Sequence, residues 1–184
     1  MSDIKKRVEE YARHTFGTWN FQKAWKSPMV VTDAEGIYFT NSDGKRFIDF
    51  SSQFMCSSLG HKNEAIIEAL VKQAEHISYV APIFATEIGM EAVEAIRSVL
   101  PKGLDRIFFS TSGAEANEGA MVMTRLSKNP AYKVVSRYHS YHGATPAAMA
   151  FTGDPRRWPV EQVRYASEGV LFAPDCYCYR CPFD

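Results

Sequence analysis

One stretch of the chain, residues 108–126, restricts the possible folds more than any other. An apolar segment leads into the small-residue turn 110–113, and a helix-forming run starts at Ala114. A strand, a tight turn and a helix leave unpaired backbone N–H groups facing an anion, with the helix dipole behind them. Ser112 can add a hydroxyl donor, and Gly113 can take a positive φ and let an anion approach closely. The stretch therefore predicts either a phosphate cradle or an ordinary turn that Ser112 caps.

Composition and charge exclude several classes of protein. A chain of 184 residues with 46% hydrophobic content is long enough for one sizeable core. The 21 lysines and arginines balance 21 aspartates and glutamates, so no nucleic-acid partner is expected. No apolar stretch approaches the length that spans a membrane, and no apolar run follows the N-terminal charges as it would in a signal peptide. Four cysteines do not make a disulfide framework, which favours the cytoplasm.

The first hundred residues predict helices around a small β-meander. Apolar residues at helical spacing predict three helices, with Ser2, Asn63 and Thr86 as their caps. Strand-like runs predict a meander that turns at residues 34–35 and 41–44. The predicted segments are helices 3–15, 63–77 and 87–100, strands 29–33, 36–40 and 45–50, and a loop over 51–61.

From residue 105 onward the pattern alternates between strand and helix. This alternation implies parallel strands joined by right-handed crossovers, with ligands at the carboxyl ends of the strands. The turn 110–113 and the loop 138–143 both leave such ends, so we expect them to meet, the turn supplying anion donors and the loop an aromatic face. The predicted segments are strand 105–109, helix 114–128, strand 132–137, a short Ala-rich segment 144–151 and a last strand within 169–174.

Four motifs follow one another between residues 30 and 155. They are EGIYFTNSDGKRFIDFSS, LGH at 59–61, STSGAEANE at 110–118 and SYHGAT at 140–145. In order and spacing they resemble the N-terminal part of class III aminotransferases, the ω-amino acid or 4-aminobutyrate group, which use pyridoxal 5′-phosphate. The resemblance implies an incomplete α/β fold of the PLP-dependent transferase fold type I. Residues 1–57 would form the N-terminal arm and part of the small domain, and residues 58–184 the first part of the large domain.

The resemblance also implies roles for individual residues. The cofactor phosphate would bind at Ser112, Gly113 and Ala114. Tyr141 would stack on the pyridine ring, with His142 and Gly143 completing that motif, and Glu118 would lie near the cofactor. Glu118 is equally well explained as a first-turn charge that the helix dipole favours. The substrate pocket would be lined by Phe54, Met55, Cys56 and Phe84, the last acting across a dimer interface, although core or interface packing also explains these four.

The resemblance covers less than half of a family member's length. In the family, the Schiff-base lysine, the aspartate that pairs with the pyridine nitrogen and the arginine that binds the substrate carboxylate all lie beyond residue 184. None of the ten lysines here occupies a loop after a late strand. We therefore expect no catalytic residue within this chain, poor cofactor binding and no transamination by the chain alone.

The leading hypothesis is that the chain is part of an enzyme that transfers an amino group from an amine or ω-amino acid to a 2-oxo acid. This enzyme would work as a homodimer. One alternative is another enzyme of this fold, such as a mutase, racemase or decarboxylase. A second is a non-catalytic protein that binds the cofactor or a partner. A third is a small zinc module built on Cys176, Cys178 and Cys181, but these lack a fourth ligand nearby, so no metal site is predicted.

Overall fold

The computed structural model describes residues 2–158 and 168–183. The chain divides into two compact units, residues 1–85 and 86–184. A domain division at residues 57 and 58 remains a prediction. Among the described helices, none combines the length and the apolar character needed to cross a bilayer.

The first unit contains a β-meander between two long helices. Helix α1, Ser2–His14, starts at the residue predicted to cap it. Three antiparallel strands follow in sequence order, β1 (Val31–Glu35), β2 (Tyr38–Asn41) and β3 (Arg46–Ile48). A single turn, α2 (Ser52–Met55), precedes α3 (Glu64–His76). The cap of α3 is Asn63, as predicted, because its side chain accepts a hydrogen bond from the N–H of Ile66 at 3.3 Å.

The first hairpin turns two residues later than predicted. Ala34 and Glu35 belong to β1, where Glu35 pairs with Tyr38, so a turn at residues 34–35 is wrong. The chain reverses at Gly36 and Ile37 instead. Gly36 has a φ of +54°, which glycine adopts without a side-chain clash and which suits the first position of a tight hairpin turn. The second turn lies where predicted, since the N–H of Gly44 donates to the carbonyl of Asn41 at 3.0 Å.

The segment 51–61 is more ordered than a loop. Its residues Ser52, Gln53, Phe54 and Met55 have φ values of +48°, +48°, +56° and +68°, so α2 is a left-handed turn. None of the four is a glycine, which is the residue that usually signals this conformation. The sequence therefore carried no local signal for α2, and the prediction of a plain loop is wrong for these four residues.

The described part of the second unit includes three α-helices and a parallel strand pair. Helix α4 spans Glu87–Val99, α5 spans Gly113–Ser127 and α6 spans Pro146–Ala150. Strands β4 (Val134–Arg137) and β5 (Val170–Ala173) pair in parallel. The predicted cap of α4 is confirmed, because the hydroxyl oxygen of Thr86 accepts a hydrogen bond from the N–H of Gly89 at 3.1 Å.

The predicted strand 105–109 does not form a strand. A strand exists through its ladder of hydrogen bonds to a neighbour, and the described residues offer this segment no such partner. Its aromatic end, Phe108 and Phe109, is more than half exposed. The parallel pairing that the alternating pattern predicts occurs between β4 and β5 instead.

Buried residues in and just after α6 pack at the end of β4. Ala148, Ala150, Phe151 and Thr152 are all buried. The hydroxyl of Ser136 in β4 donates to the carbonyl of Phe151 at 2.5 Å. The hydroxyl of Thr152 donates to the carbonyl of Ala148 at 3.0 Å. These contacts fix the loop that leaves the carboxyl end of β4.

Candidate functional site

The N-terminus of α5 is closed by two polar side chains. The hydroxyl oxygen of Ser112 accepts a hydrogen bond from the N–H of Glu115 at 3.2 Å, which confirms Ser112 as the cap. The carboxylate of Glu115 in turn accepts from the backbone N–H and the hydroxyl of Thr111, at 2.7 and 2.5 Å. The hydroxyl of Thr111, followed by its N–H, lowers the pKa of Glu115 below its usual value. Sequence reasoning missed Glu115, although Ser-x-x-Glu is the pattern of a capping box.

Two N–H groups at this terminus remain open. Within the described part of the chain, the N–H groups of Gly113 and Ala114 make no hydrogen bond. A Cβ atom added to Gly113 would meet no atom within 4 Å, so the space in front of the turn is open. Gly113 lies inside the helix and does not use a positive φ. The terminus can therefore accept an anion, with glycine providing access rather than an unusual backbone conformation.

The loop 138–143 packs directly on this helix terminus, as expected, although the strand predicted to precede the turn is not formed. Gly143 is buried at φ +142°, and a Cβ atom there would lie 2.5 Å from the Cβ of Ala114 and 2.9 Å from that of Ala148. The side-chain amide of Asn117 in α5 donates to the carbonyl of His142 at 2.9 Å. Only a residue without a side chain allows this approach of loop and helix, and motif reasoning gave Asn117 no role.

Two further contacts involve the loop and the residues that follow it. The hydroxyl of Thr145 donates to the carboxylate of Glu118, which ties α5 to the end of the loop. Tyr141 is 38% exposed, and the guanidinium of Arg156 lies 4.5 Å from its ring centre. Arg156 is itself held by the carboxylate of Asp154, at 3.2 Å from its Nε. The phenol ring thus lies on the surface of the loop whose Gly143 packs against Ala114 of α5.

The ring of His142 points into the second unit. It packs on Phe151 with ring centres 5.2 Å apart, and its Nε2 lies 3.4 Å from the hydroxyl of Ser136. Burial, followed by the positive charge of Arg137, lowers the pKa of His142 below its usual value. The imidazole is therefore neutral near pH 7 and serves to anchor the loop.

We expect the second unit to lose stability as the pH falls below 6.5, the usual pKa of histidine. Because the pKa of His142 is lowered in the folded chain, the unfolded chain takes up the proton first. The stability contributed by the neutral ring is complete above 6.5 and is lost as the pH falls from there through the folded pKa. Urea unfolding on both sides of this pH checks the expectation. The slope should disappear in His142→Gln and persist in His139→Gln, and a slope unchanged in His142→Gln would contradict it.

The four residues assigned to the substrate pocket lie in the first unit and outside its core. Phe54, Met55 and Phe84 are exposed, as is Cys56, whose thiol lies 3.7 Å from the carbonyl of Phe54. Core packing therefore does not explain them. Their role in a substrate pocket remains a prediction.

A buried contact between a carboxylate and an imidazole supports the segment that carries Phe54, Met55 and Cys56. The side chain of Asp49 is 4% exposed and lies 2.8 Å from Nε2 of His61. Burial acts to raise the pKa of Asp49, but hydrogen bonds from Gln53 and His61 outweigh it and hold that pKa below its usual value. Sequence reasoning assigned neither Asp49 nor His61 a role, although His61 belongs to the LGH motif.

The C-terminal cysteines do not form a metal centre with their described neighbours. Cys176, Cys178 and Cys181 are all unoxidised thiols. In residues 2–158 and 168–183, no three His, Cys, Asp or Glu side chains are arranged to hold a metal ion.

Comparison with known proteins agrees with the motifs. The sequence model of the family described as "Aminotransferase class-III" matches residues 21–174. Acetylornithine aminotransferase of Mycolicibacterium smegmatis is 31% identical over 154 residues, 84% of this chain and 37% of that protein. The counterpart from Mycobacterium bovis is 34% identical over 133 residues, 71% of this chain and 32% of that protein.

The fold agrees with a solved structure of the same kind. The taurine:2-oxoglutarate aminotransferase of Bifidobacterium kashiwanohense, solved in complex with PLP and glutamate, is 31% identical and superposes with a TM-score of 0.85. The match covers 95% of this chain and 38% of that one. The chain thus spans about a third of the length of these relatives, with the PLP-dependent aminotransferase fold over most of its own residues. It belongs to the class III aminotransferase family.

Proposed function

We propose that this chain forms the part of a class III aminotransferase that binds the phosphate of pyridoxal 5′-phosphate and one face of its pyridine ring. The phosphate would be held by Ser112, Gly113 and Ala114, and the ring by Tyr141. The observation that carries the proposal is the contact between Gly143 and Ala114, which places the aromatic loop on the open helix terminus.

The residues present fit this cofactor. Gly113 and Ala114 supply two open N–H groups at the positive end of α5, a helix of fifteen residues. The oxygen of Ser112 accepts from Glu115, so its hydroxyl proton is available for a phosphate oxygen. Stacking on a flat phenol ring would fix the tilt of the pyridine. When bound, PLP supplies an electron sink for the bonding pair released at the substrate carbon.

We propose an amine or ω-amino acid as amino donor and a 2-oxo acid as acceptor. The names of the relatives support this class, since they include acetylornithine, and taurine with 2-oxoglutarate. Phe54, Met55, Cys56 and Phe84 would contact the donor, while Glu118, His142 and Gly143 would shape the cofactor loop. The proposal includes a homodimer in the cytoplasm, and the thiols of the four unpaired cysteines support a reducing compartment. A mutase, racemase or decarboxylase would share the cofactor site, so product analysis separates it from an aminotransferase.

We expect Ser112→Ala to weaken the binding of PLP by about tenfold. The variant loses one hydrogen bond to a charged phosphate, worth about 1.5 kcal/mol, and a tenfold change in affinity corresponds to about 1.4 kcal/mol. Equilibrium dialysis of the full chain against PLP measures the change. Ser127→Ala is the matched control, since it makes the same change at the other end of α5, where the hydroxyl donates to the carbonyl of Thr124. Equal affinities of the two variants for PLP would show that Ser112 does not contribute to the binding of the phosphate.

We also propose that the catalytic lysine is not among the ten in this chain. Lys128 follows the last residue of α5, about 22 Å along the helix from Gly113 at 1.5 Å per residue. Lys133 precedes β4, whereas the loop with Tyr141 follows that strand. Borohydride reduction in the presence of PLP, followed by peptide mapping, should give scattered labelling below one equivalent. One equivalent on a single lysine would show that the chain carries its own Schiff-base lysine.

A further inference from the structure

The left-handed turn α2 has an unusual backbone conformation that is not compensated by burial of its apolar side chains. Its four residues have φ values from +48° to +68°, a region that residues with a Cβ atom rarely occupy. Such residues persist only where the surroundings enforce them, and they cluster at functional sites. The turn does not bury its apolar side chains, because Phe54 and Met55 are 63% and 78% exposed. Burial of these side chains therefore does not explain the conformation.

The carboxylate of Asp49 is the centre of the contacts that enforce the turn. Besides its contact with His61, it accepts hydrogen bonds from the N–H of Gln53 at 3.1 Å and from the hydroxyl of Ser57 at 3.4 Å. The carbonyl of Asp49 accepts from the N–H of Ser52 at 3.3 Å. One buried residue thus contacts the start, the middle and the end of the segment.

Both Asp49 and His61 are anchored to the first hairpin. The N–H of His61 donates to the carbonyl of Gly36 at 2.8 Å, and the N–H of Gly36 donates to the carbonyl of His61 at 3.0 Å. The N–H of Asp49 donates to the carbonyl of Ile37 at 2.8 Å. The carboxylate and the imidazole therefore meet because their backbones are fixed to adjacent residues of the hairpin turn, Asp49 to Ile37 and His61 to Gly36. The β-meander serves as the rigid support, and α2 is the element that it supports.

We infer that Asp49 and His61 are positioning residues that hold α2 in the conformation that presents Phe54 and Met55. The further statement that these two side chains meet the amino donor rests on the proposed function. On this view the LGH motif at 59–61 acts through its histidine. That histidine closes the segment onto the hairpin and completes the set of partners around the carboxylate of Asp49.

The test is the NMR signal of the Met55 methyl group in the full chain labelled at methionine methyls. In Asp49→Asn, we expect the Met55 signal to shift and broaden while the signal of Met29, in the same unit, stays in place. Asp33→Asn is the matched control, since it removes the charge of an exposed carboxylate that pairs with Lys62. A Met55 signal that is unchanged in Asp49→Asn would overturn the inference.

A second variant covers the case in which Asp49→Asn unfolds the unit and the Met29 signal is lost as well. Ser57→Ala removes a single hydrogen bond to Asp49. We then expect a smaller shift confined to Met55, and no shift in this variant would equally overturn the inference.

Taurine, added together with PLP, separates this inference from the proposed function. We expect taurine to shift the Met55 signal of the unsubstituted chain and of Asp33→Asn, and Asp49→Asn to need about ten times more taurine. If taurine has no effect on the unsubstituted chain while Asp49→Asn still releases Met55, the positioning role stands and the proposed donor class fails. If the taurine response is the same in Asp49→Asn as in the control, the positioning role is refuted.

Discussion

Replacing Gly143 by alanine is expected to lower the free energy of unfolding of the second unit by about 2–5 kcal/mol. Two effects add. The new methyl group would lie 2.5 Å from the Cβ and 2.8 Å from the Cα of Ala114, and the backbone at φ +142° disfavours any side chain. The loss is a large part of the stability of a typical domain, which is about 5–15 kcal/mol. Urea unfolding followed by circular dichroism measures it.

Gly103→Ala is the control for the backbone effect alone. Gly103 also has a positive φ, of +92°, but a Cβ atom there would meet no atom within 4 Å. We expect it to cost only about 1–2 kcal/mol. If the two variants were equally stable, the close contact between the loop and α5 would not exist in solution, and the arrangement of the candidate site would lose its basis.

The purified chain is expected to associate, with a mass by light scattering of at least twice its own 20.7 kDa. Its accessible surface is 15433 Å², whereas a folded monomer of this mass has roughly 9,000 Å². Many large apolar side chains are exposed, among them those of the aromatic stretch 16–25, where Phe16 and Phe21 are 90% and 88% exposed. Among the described residues the parallel sheet has two strands, and its open edges add a further surface for pairing.

A charged residue introduced into the parallel sheet tests whether the exposed sheet surface causes this association. Val135 and Leu171 are opposite each other on β4 and β5, and both are at least half exposed. Val135→Lys should shift the distribution toward smaller species, and Ser127→Lys, on the exposed end of α5, should not. A sharp monomer in the unsubstituted chain, unchanged by a carboxy-terminal aminotransferase half supplied in trans, would mean that the exposed surface needs no partner.

Local signals in the sequence were sufficient for the helix ends. Asn63, Thr86 and Ser112 each cap the helix that they were predicted to cap, because a cap depends on one side chain and on N–H groups two or three residues away. The second meander turn followed from Asn41 and Gly44 for the same reason. The turn and the aromatic loop meet as predicted, but the predicted reason holds only for the loop, which follows β4, because residues 105–109 before the turn form no strand in the described chain.

Features that depend on distant partners were not predictable in the same way. The apolar run 105–109 has the composition of a strand, but it lacks a pairing neighbour in the described chain. The turn α2 has no glycine and exists through Asp49, which is itself fixed by the hairpin. Asn117 belongs to the site only because it contacts His142, 25 residues away in the sequence. Arg156 belongs to it only because it contacts Tyr141, 15 residues away. A single sequence carries no record of such contacts.

The most direct test of the central claim is a crystal structure of the chain grown with PLP. We expect the phosphate group within hydrogen-bonding distance of the N–H groups of Gly113 and Ala114 and of the hydroxyl of Ser112, with the pyridine ring against Tyr141. A phosphate bound elsewhere, with the N-terminus of α5 in contact with solvent alone, would contradict the assignment of this turn and loop as the cofactor site.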